Sequence, residues 1–204
     1  MTIQVLPVKY PADLAGQANG KLGPCLLMSI FLWGVGHCSV HKLAGQAFEA
    51  MSTACHNETG LVMTCSGNPS RTYDYQYTKW FQRMRPGYNP ATCTTTKRNW
   101  PGHGVWYLLR GRGAPMAPPG YSNHGWGIAF DIAWFIASKI VNVQTNAVGW
   151  QWVQNHAVEF GFSWEGAMPG QAGFEAWHLR YVCAENIPAR VQQYIDWVAA
   201  HPSP

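Results

Sequence analysis

The sequence predicts an α+β protein, with helices packed beside a small, mainly antiparallel sheet. Segments with apolar residues at helical spacing alternate with short apolar runs of strand length, and the breaks between them fall on Gly and Pro. At 204 residues the chain is long enough for one domain with a full core. Hydrophobic residues make up 47% and charged residues 12%, which excludes a disordered chain and leaves too little charge for a solvated helical array.

Residues 1–40 read as an N-terminal extension of unassigned role, 41–200 as the main domain and 201–204 as a tail. Pro7, Pro11 and Asp13 stand where a basic region and an apolar run would mark a secretory signal, so no ordinary signal peptide is expected. Cys25 to Trp33 is apolar but too short to span a bilayer, and suits a buried helix or strand. His41 to His56 is a predicted helix, with Leu43, Ala47, Ala50, Met51 and Ala54 at helical spacing and Gly60 just past its end. Leu61 to Cys65 follows as a short strand. Tyr73 to Met84 is helical again, with Tyr77, Trp80, Phe81 and Met84 on one face and Pro86-Gly87 as the stop. Residues 85–121 hold six Pro and six Gly and read as a long irregular stretch, broken by a strand at Val105 to Leu109. Gly127 to Phe135 has strand character. Val148 to Phe160 is a helix closed by Gly161, Phe174 to Val182 a strand, and Pro188 to Ala200 a final helix with Pro in its first turn.

A net charge of +4 is spread over short pairs such as Arg83/Arg85 and Lys97/Arg98, which excludes the clustered footprint of a nucleic-acid-binding protein. The mild positive balance suits an anionic polymer. The eleven Trp residues serve mainly as core, with a few available to line a groove. Cysteines 25, 38, 55, 65, 93 and 183 contain no CxxC pair and are not a zinc cluster; thiols and disulfides both stay open.

Two segments carry chemistry. In Ser122-Asn-His124-Gly-Trp-Gly127-Ile-Ala129-Phe-Asp131, the His and Asp are seven residues apart. A helix would set them about 10 Å apart along its axis, too far to share a metal bound at about 2 Å by each. A straight strand would point them to opposite faces, so convergence requires a loop entering a strand, with the bend supplied by Gly125 and Gly127. The second segment, Glu175-Ala-Trp177-His178-Leu-Arg-Tyr-Val182, offers one more His and a Glu. Two His and one Asp around zinc leave a position open for water, and a nearby Glu can take that water's proton. Those are the parts needed to hydrolyse an amide.

The SxHxxGxAxD and ExWH patterns, with the following Leu-Arg-Tyr-Val, resemble the D-alanyl-D-alanine carboxypeptidases of the vancomycin-resistance type. That family lies within the zinc-peptidase group of lysostaphin-like enzymes and hedgehog domains. The likeness also reaches Ser70-Arg-Thr-Tyr-Asp-Tyr-Gln76 and Asn155 to Phe162, and spans roughly residues 60–183. The resemblance implies a hedgehog/D,D-peptidase-like fold, zinc bound by His124, Asp131 and His178, and Glu175 as catalytic base. It implies that Arg71 stabilises the developing oxyanion, and that Gln76, Ser122 and Trp177 contact substrate. The sequence departs from the family at one point. The usual Ser-Gly-aromatic directly before the arginine is here Ser66-Gly67 followed by Asn68-Pro69-Ser70.

The resemblance thus implies a zinc-dependent peptidase of the peptidoglycan stem peptide, acting at the bacterial cell wall without stable membrane insertion. With no signal peptide expected, a phage-delivered endolysin or a member of a larger phage or wall assembly, cutting L-alanyl-D-glutamate, is the alternative. A zinc-containing wall-binding module without catalysis is the alternative of another class, disfavoured by the presence of Glu175 and Arg71 together.

Overall fold

The computed structural model describes residues 3, 5–165, 171 and 174–201. Residues 202–204, most of the expected tail, lie outside them. The chain enters through an antiparallel hairpin of β1 (Leu27–Leu32) and β2 (Gly36–His41), which runs directly into helix α1 (Lys42–Thr59). Ala44, Ala47, Phe48, Met51 and Cys55 recur at helical spacing and face the core. Gly60 ends the helix at φ 74°, donating its N–H to His56 O.

The main sheet is antiparallel, in the order β3 (Met63–Cys65), β7 (Ala129–Ile136), β10 (His178–Tyr181) and β9 (Phe162–Trp164), with β8 (Lys139–Asn142) also paired to β7. Helices α3 (Ala147–His156) and α4 (Ala189–Ala200) pack with α1 beside this sheet. Phe48 of α1 stacks on Phe130 of β7 with ring centroids 4.7 Å apart, joining helix and sheet in one core. α3 stops at His156 and continues as a 3₁₀ turn to Gly161 at φ 78°, so the helix expected over Val148 to Phe160 is shorter than its periodicity suggests.

A second, smaller core lies between α2 (Tyr73–Arg83) and a three-stranded sheet of β4 (Met84–Pro86), β6 (Gly104–Leu109) and β5 (Cys93–Trp100). It contains Trp80, Met84, Trp100, Trp106 and Leu108. The stretch expected to be irregular therefore holds β5 and the end of β4 besides the expected strand, here β6, while residues 110–121 contain no strand. β5 escapes a pattern-based prediction because its interior, Thr94 to Asn99, is polar and partly or fully exposed, and only its ends, Cys93 and Trp100, are buried.

The hairpin lies almost entirely before the expected boundary at 40/41. Ile30, Leu32, Cys38 and Val40 share the main core with α1 and β7, so the hairpin is part of that unit. Residues before α1 are tied to the loops of the later motif: Gly20 N–H donates to Gly125 O at 2.9 Å, and His41 N–H to Gly127 O at 3.0 Å. All six cysteines are free thiols, four of them buried; burial pushes Cys55 up to about 11.

Candidate active site

The first motif folds as a 3₁₀ turn, Asn123 to Trp126, leading into β7. Gly127 makes the bend at φ 65°, where a Cβ would lie 2.7 Å from His41 N. Gly125 permits close approach: a Cβ there would meet Asn19 Oδ1 at 2.0 Å. The bend brings His124 back over Asp131. On the neighbouring strand His178 is the direct cross-strand partner of Asp131, which places both side chains on one face of the sheet.

His124 Nε2 lies 3.4 Å and His178 Nδ1 2.9 Å from Asp131 Oδ1. Among the described residues these three form a group able to hold a metal ion, with ligand atoms all within 4.8 Å of one another. The outer hydrogen bond of His124 tests the fit. Its Nδ1 lies 2.7 Å from Pro69 O, and a carbonyl only accepts, so the proton is on Nδ1 and the Nε2 lone pair faces the centre. Burial pushes the His124 imidazolium down, favouring the neutral form a metal requires. Burial alone would raise the Asp131 carboxyl, but the close approach of the His124 and His178 imidazoles outweighs it and holds the group well below the usual carboxylate range. Two imidazoles and a carboxylate suit Zn2+ with a position left open.

The departure at Asn68-Pro69-Ser70 thus provides the carbonyl that orients His124. The same loop is pinned by Arg71 N–H to His124 O at 3.1 Å, and Arg71 Nη2 donates to Asp131 Oδ2 at 2.8 Å. Glu175 sits on the turn before β10, closed by His178 N–H to Glu175 O at 3.0 Å. The expected strand over Phe174 to Val182 is therefore a turn followed by a short strand. Trp164 Nε1 donates to Ala176 O at 3.0 Å and fixes that turn.

Arg71, Ser122, His124, Asp131, Glu175, Trp177 and His178 line one cleft of about 350 Å³. Gln76 does not. It is fully buried, donating from Nε2 to Arg71 O and Asn19 Oδ1 and accepting from Gly120 N–H, so it clamps the loops behind the cleft. Arg83, Asn123 and Glu165 also line the cleft and were not predicted. Glu165 follows a three-residue strand that is buried throughout, and nothing in its local sequence signals a site.

Residues 37–184 match the family described as VanY, D-alanyl-D-alanine carboxypeptidase. No curated protein matches the chain by sequence. Among solved structures the chain is similar to VanYB in complex with D-alanine-D-alanine, at 17% identity and TM-score 0.46, covering 80% of this chain and 84% of that one. It is also similar to a vancomycin-resistance D,D-pentapeptidase VanY in complex with Zn(II), at 18% identity and TM-score 0.48, covering 83% of each chain. A third is the L,D-carboxypeptidase DacB from Streptococcus pneumonia, at 21% identity and TM-score 0.43, covering 78% of this chain and 72% of that one.

Proposed function

The chain belongs to the VanY family of D-alanyl-D-alanine carboxypeptidases, and from that membership we propose that it removes the terminal D-alanine from a peptidoglycan stem peptide. Membership makes it an enzyme, a zinc metallopeptidase acting on peptidoglycan and so at the bacterial cell wall. No described helix is long and apolar enough to cross a membrane.

The observation that carries the proposal is one cleft lined by a His-Asp-His donor set together with a free carboxylate and an arginine. Zinc held by His124, Asp131 and His178 would polarise the scissile carbonyl and acidify the attacking water. Glu175, not a member of the donor group, takes the proton of that water and returns it to the departing amine. Arg71 is fixed beside Asp131 and keeps a permanent positive charge at the cleft, where the oxyanion develops. Ser122 and Trp177 line the wall against which the peptide lies.

The test is release of free D-alanine from a peptide ending in D-alanyl-D-alanine by zinc-loaded protein, with Glu175→Gln beside it. The variant should keep its zinc and lose about 10²–10⁴ in turnover. Cleavage between L-alanine and D-glutamate would instead identify the endopeptidase, and zinc binding without any turnover would identify a wall-binding module.

A further inference from the structure

Glu165 stands where the two halves of the site meet. Its carboxylate receives Asn123 Nδ2 at 2.5 and 2.6 Å, from the turn that carries His124. It receives His178 Nε2 at 3.2 Å and forms an ion pair with the Arg180 guanidinium, both from β10. His178 and Arg180 are two apart on a strand and so share a face. Arg180 is only 6% exposed, and a guanidinium at that depth needs an anionic partner. Glu165 is one, and its other acceptor sites are open to the two motif residues.

The chemistry of these contacts is one-sided. Asn123 Nδ2 and Arg180 can only donate, and an ionised carboxylate can only accept, so His178 must present its N–H at Nε2. The proton is then absent from Nδ1, the atom 2.9 Å from Asp131 Oδ1. We propose that Glu165 is a positioning residue of the metal centre: it fixes the His178 tautomer and ring so that Nδ1 is the ligating atom, and ties the His124 turn to β10. This rests on His178 being a ligand. A carboxylate behind a ligating imidazole raises its basicity as well as holding its orientation.

Glutamine is the discriminating substitution because it keeps the shape and loses the acceptor pattern. Its single oxygen goes to buried Arg180, which leaves an NH2 facing His178 Nε2 and favours the wrong tautomer. If Glu165 merely fills space or bonds in a neutral way, Glu165→Gln should behave like wild type. Zinc affinity, measured by competition with a chromogenic chelator, should fall about 10–100-fold in both Glu165→Gln and Glu165→Ala. Wild-type affinity in folded Glu165→Gln overturns the proposal, as does a lowered melting temperature of the metal-free variant with unchanged zinc affinity. His178→Ala run in parallel separates the two levels: if it binds zinc as wild type does, the ligand assignment itself has failed. Should the Glu165 variants not fold, long-range ¹⁵N–¹H correlation of the imidazoles in zinc-loaded wild-type protein decides. His178 bonded to metal through Nδ1 with a proton on Nε2 supports the proposal, and metal on Nε2 refutes it.

Discussion

Arg71→Ala separates transition-state stabilisation from support of the fold. In the structure Arg71 Nη2 meets Asp131 Oδ2 at 2.8 Å, with the two side chains 29% and 19% exposed. At that separation the pair attraction is about 6 kcal/mol for an effective dielectric of about 20. Desolvation reduces the net value of such a charged hydrogen bond to about 1.5–3 kcal/mol. For a chain of this length that corresponds to a melting temperature lowered by about 3–12 °C. The catalytic loss is separate: removing one donor to a developing oxyanion costs about 10²–10³ in kcat. Arg71 is not itself a zinc ligand, so at saturating zinc the variant should still load, and KM should change much less than kcat. Arg71→Lys keeps a charge but cannot both pair with Asp131 and reach substrate, since its point charge lacks the planar fork, so it should restore the melt more than the rate. The assay is D-alanine release per zinc-loaded molecule, with thermal melts on the same preparations. Wild-type kcat in folded, zinc-saturated Arg71→Ala would falsify the assignment and leave Arg71 as a partner of Asp131 alone.

Two further predictions concern the scaffold. Gly127→Ala should destabilise by about 2–5 kcal/mol in urea unfolding, because it adds a left-handed penalty to a clash with the His41 backbone. Gly111→Ala, at φ 71° but in open space, should cost roughly 1–2 kcal/mol, and equal losses at the two sites would refute the clash. Arg190 donates to Glu58 at 2.7 Å and Glu159 at 2.6 Å. Hydrogen bonds from Trp152 and Arg190 hold Glu58 below the ordinary value of 4.5; burial would raise Glu159, but Arg190 and His156 outweigh it. A carboxylate lowered in the folded state adds stability above its ordinary value and loses it as pH falls through the folded value, so acidification below 4.5 should lower the melting temperature. Arg190→Met should make that slope shallower, by about 1–4 °C for so exposed a group, and an unchanged slope would refute the linkage.

Much of the fold was legible because burial imposes period. α1, α2 and α4 each carry an apolar face and a stop, and β7 is nearly continuous apolar residues between a glycine bend and a loop. β8 and β9 were not: β8 is mostly exposed, and β9 is only three residues, buried throughout. The metal-ligand candidates were legible for a different reason. A seven-residue His-Asp spacing rules out a helix and a straight strand, and the glycines that permit the remaining geometry are local. Gln76 was placed near substrate by resemblance alone; in the fold its amide satisfies backbone groups of two loops and the Asn19 side chain, contacts that no local pattern announces. Glu165 was invisible because its partners are 13, 15 and 42 residues away, and it takes the pairing of β10 with both β9 and β7 to bring them together.

The groups around the donor set also decide what charge the cleft presents. With the His124 imidazolium pushed down and the Asp131 carboxyl held ionised, a zinc ion on the proposed ligand set would be only half compensated. Glu165 does not complete the compensation, since it is engaged with Arg180. Glu175 removes one more charge, but Arg71 and Arg83 both line the cleft and restore it. Loaded with zinc, the site would therefore be net positive, in a chain whose overall balance is only mildly so. That residual charge favours a peptide arriving with a free carboxylate, and favours the transition state further, because negative charge then develops on the scissile oxygen as well.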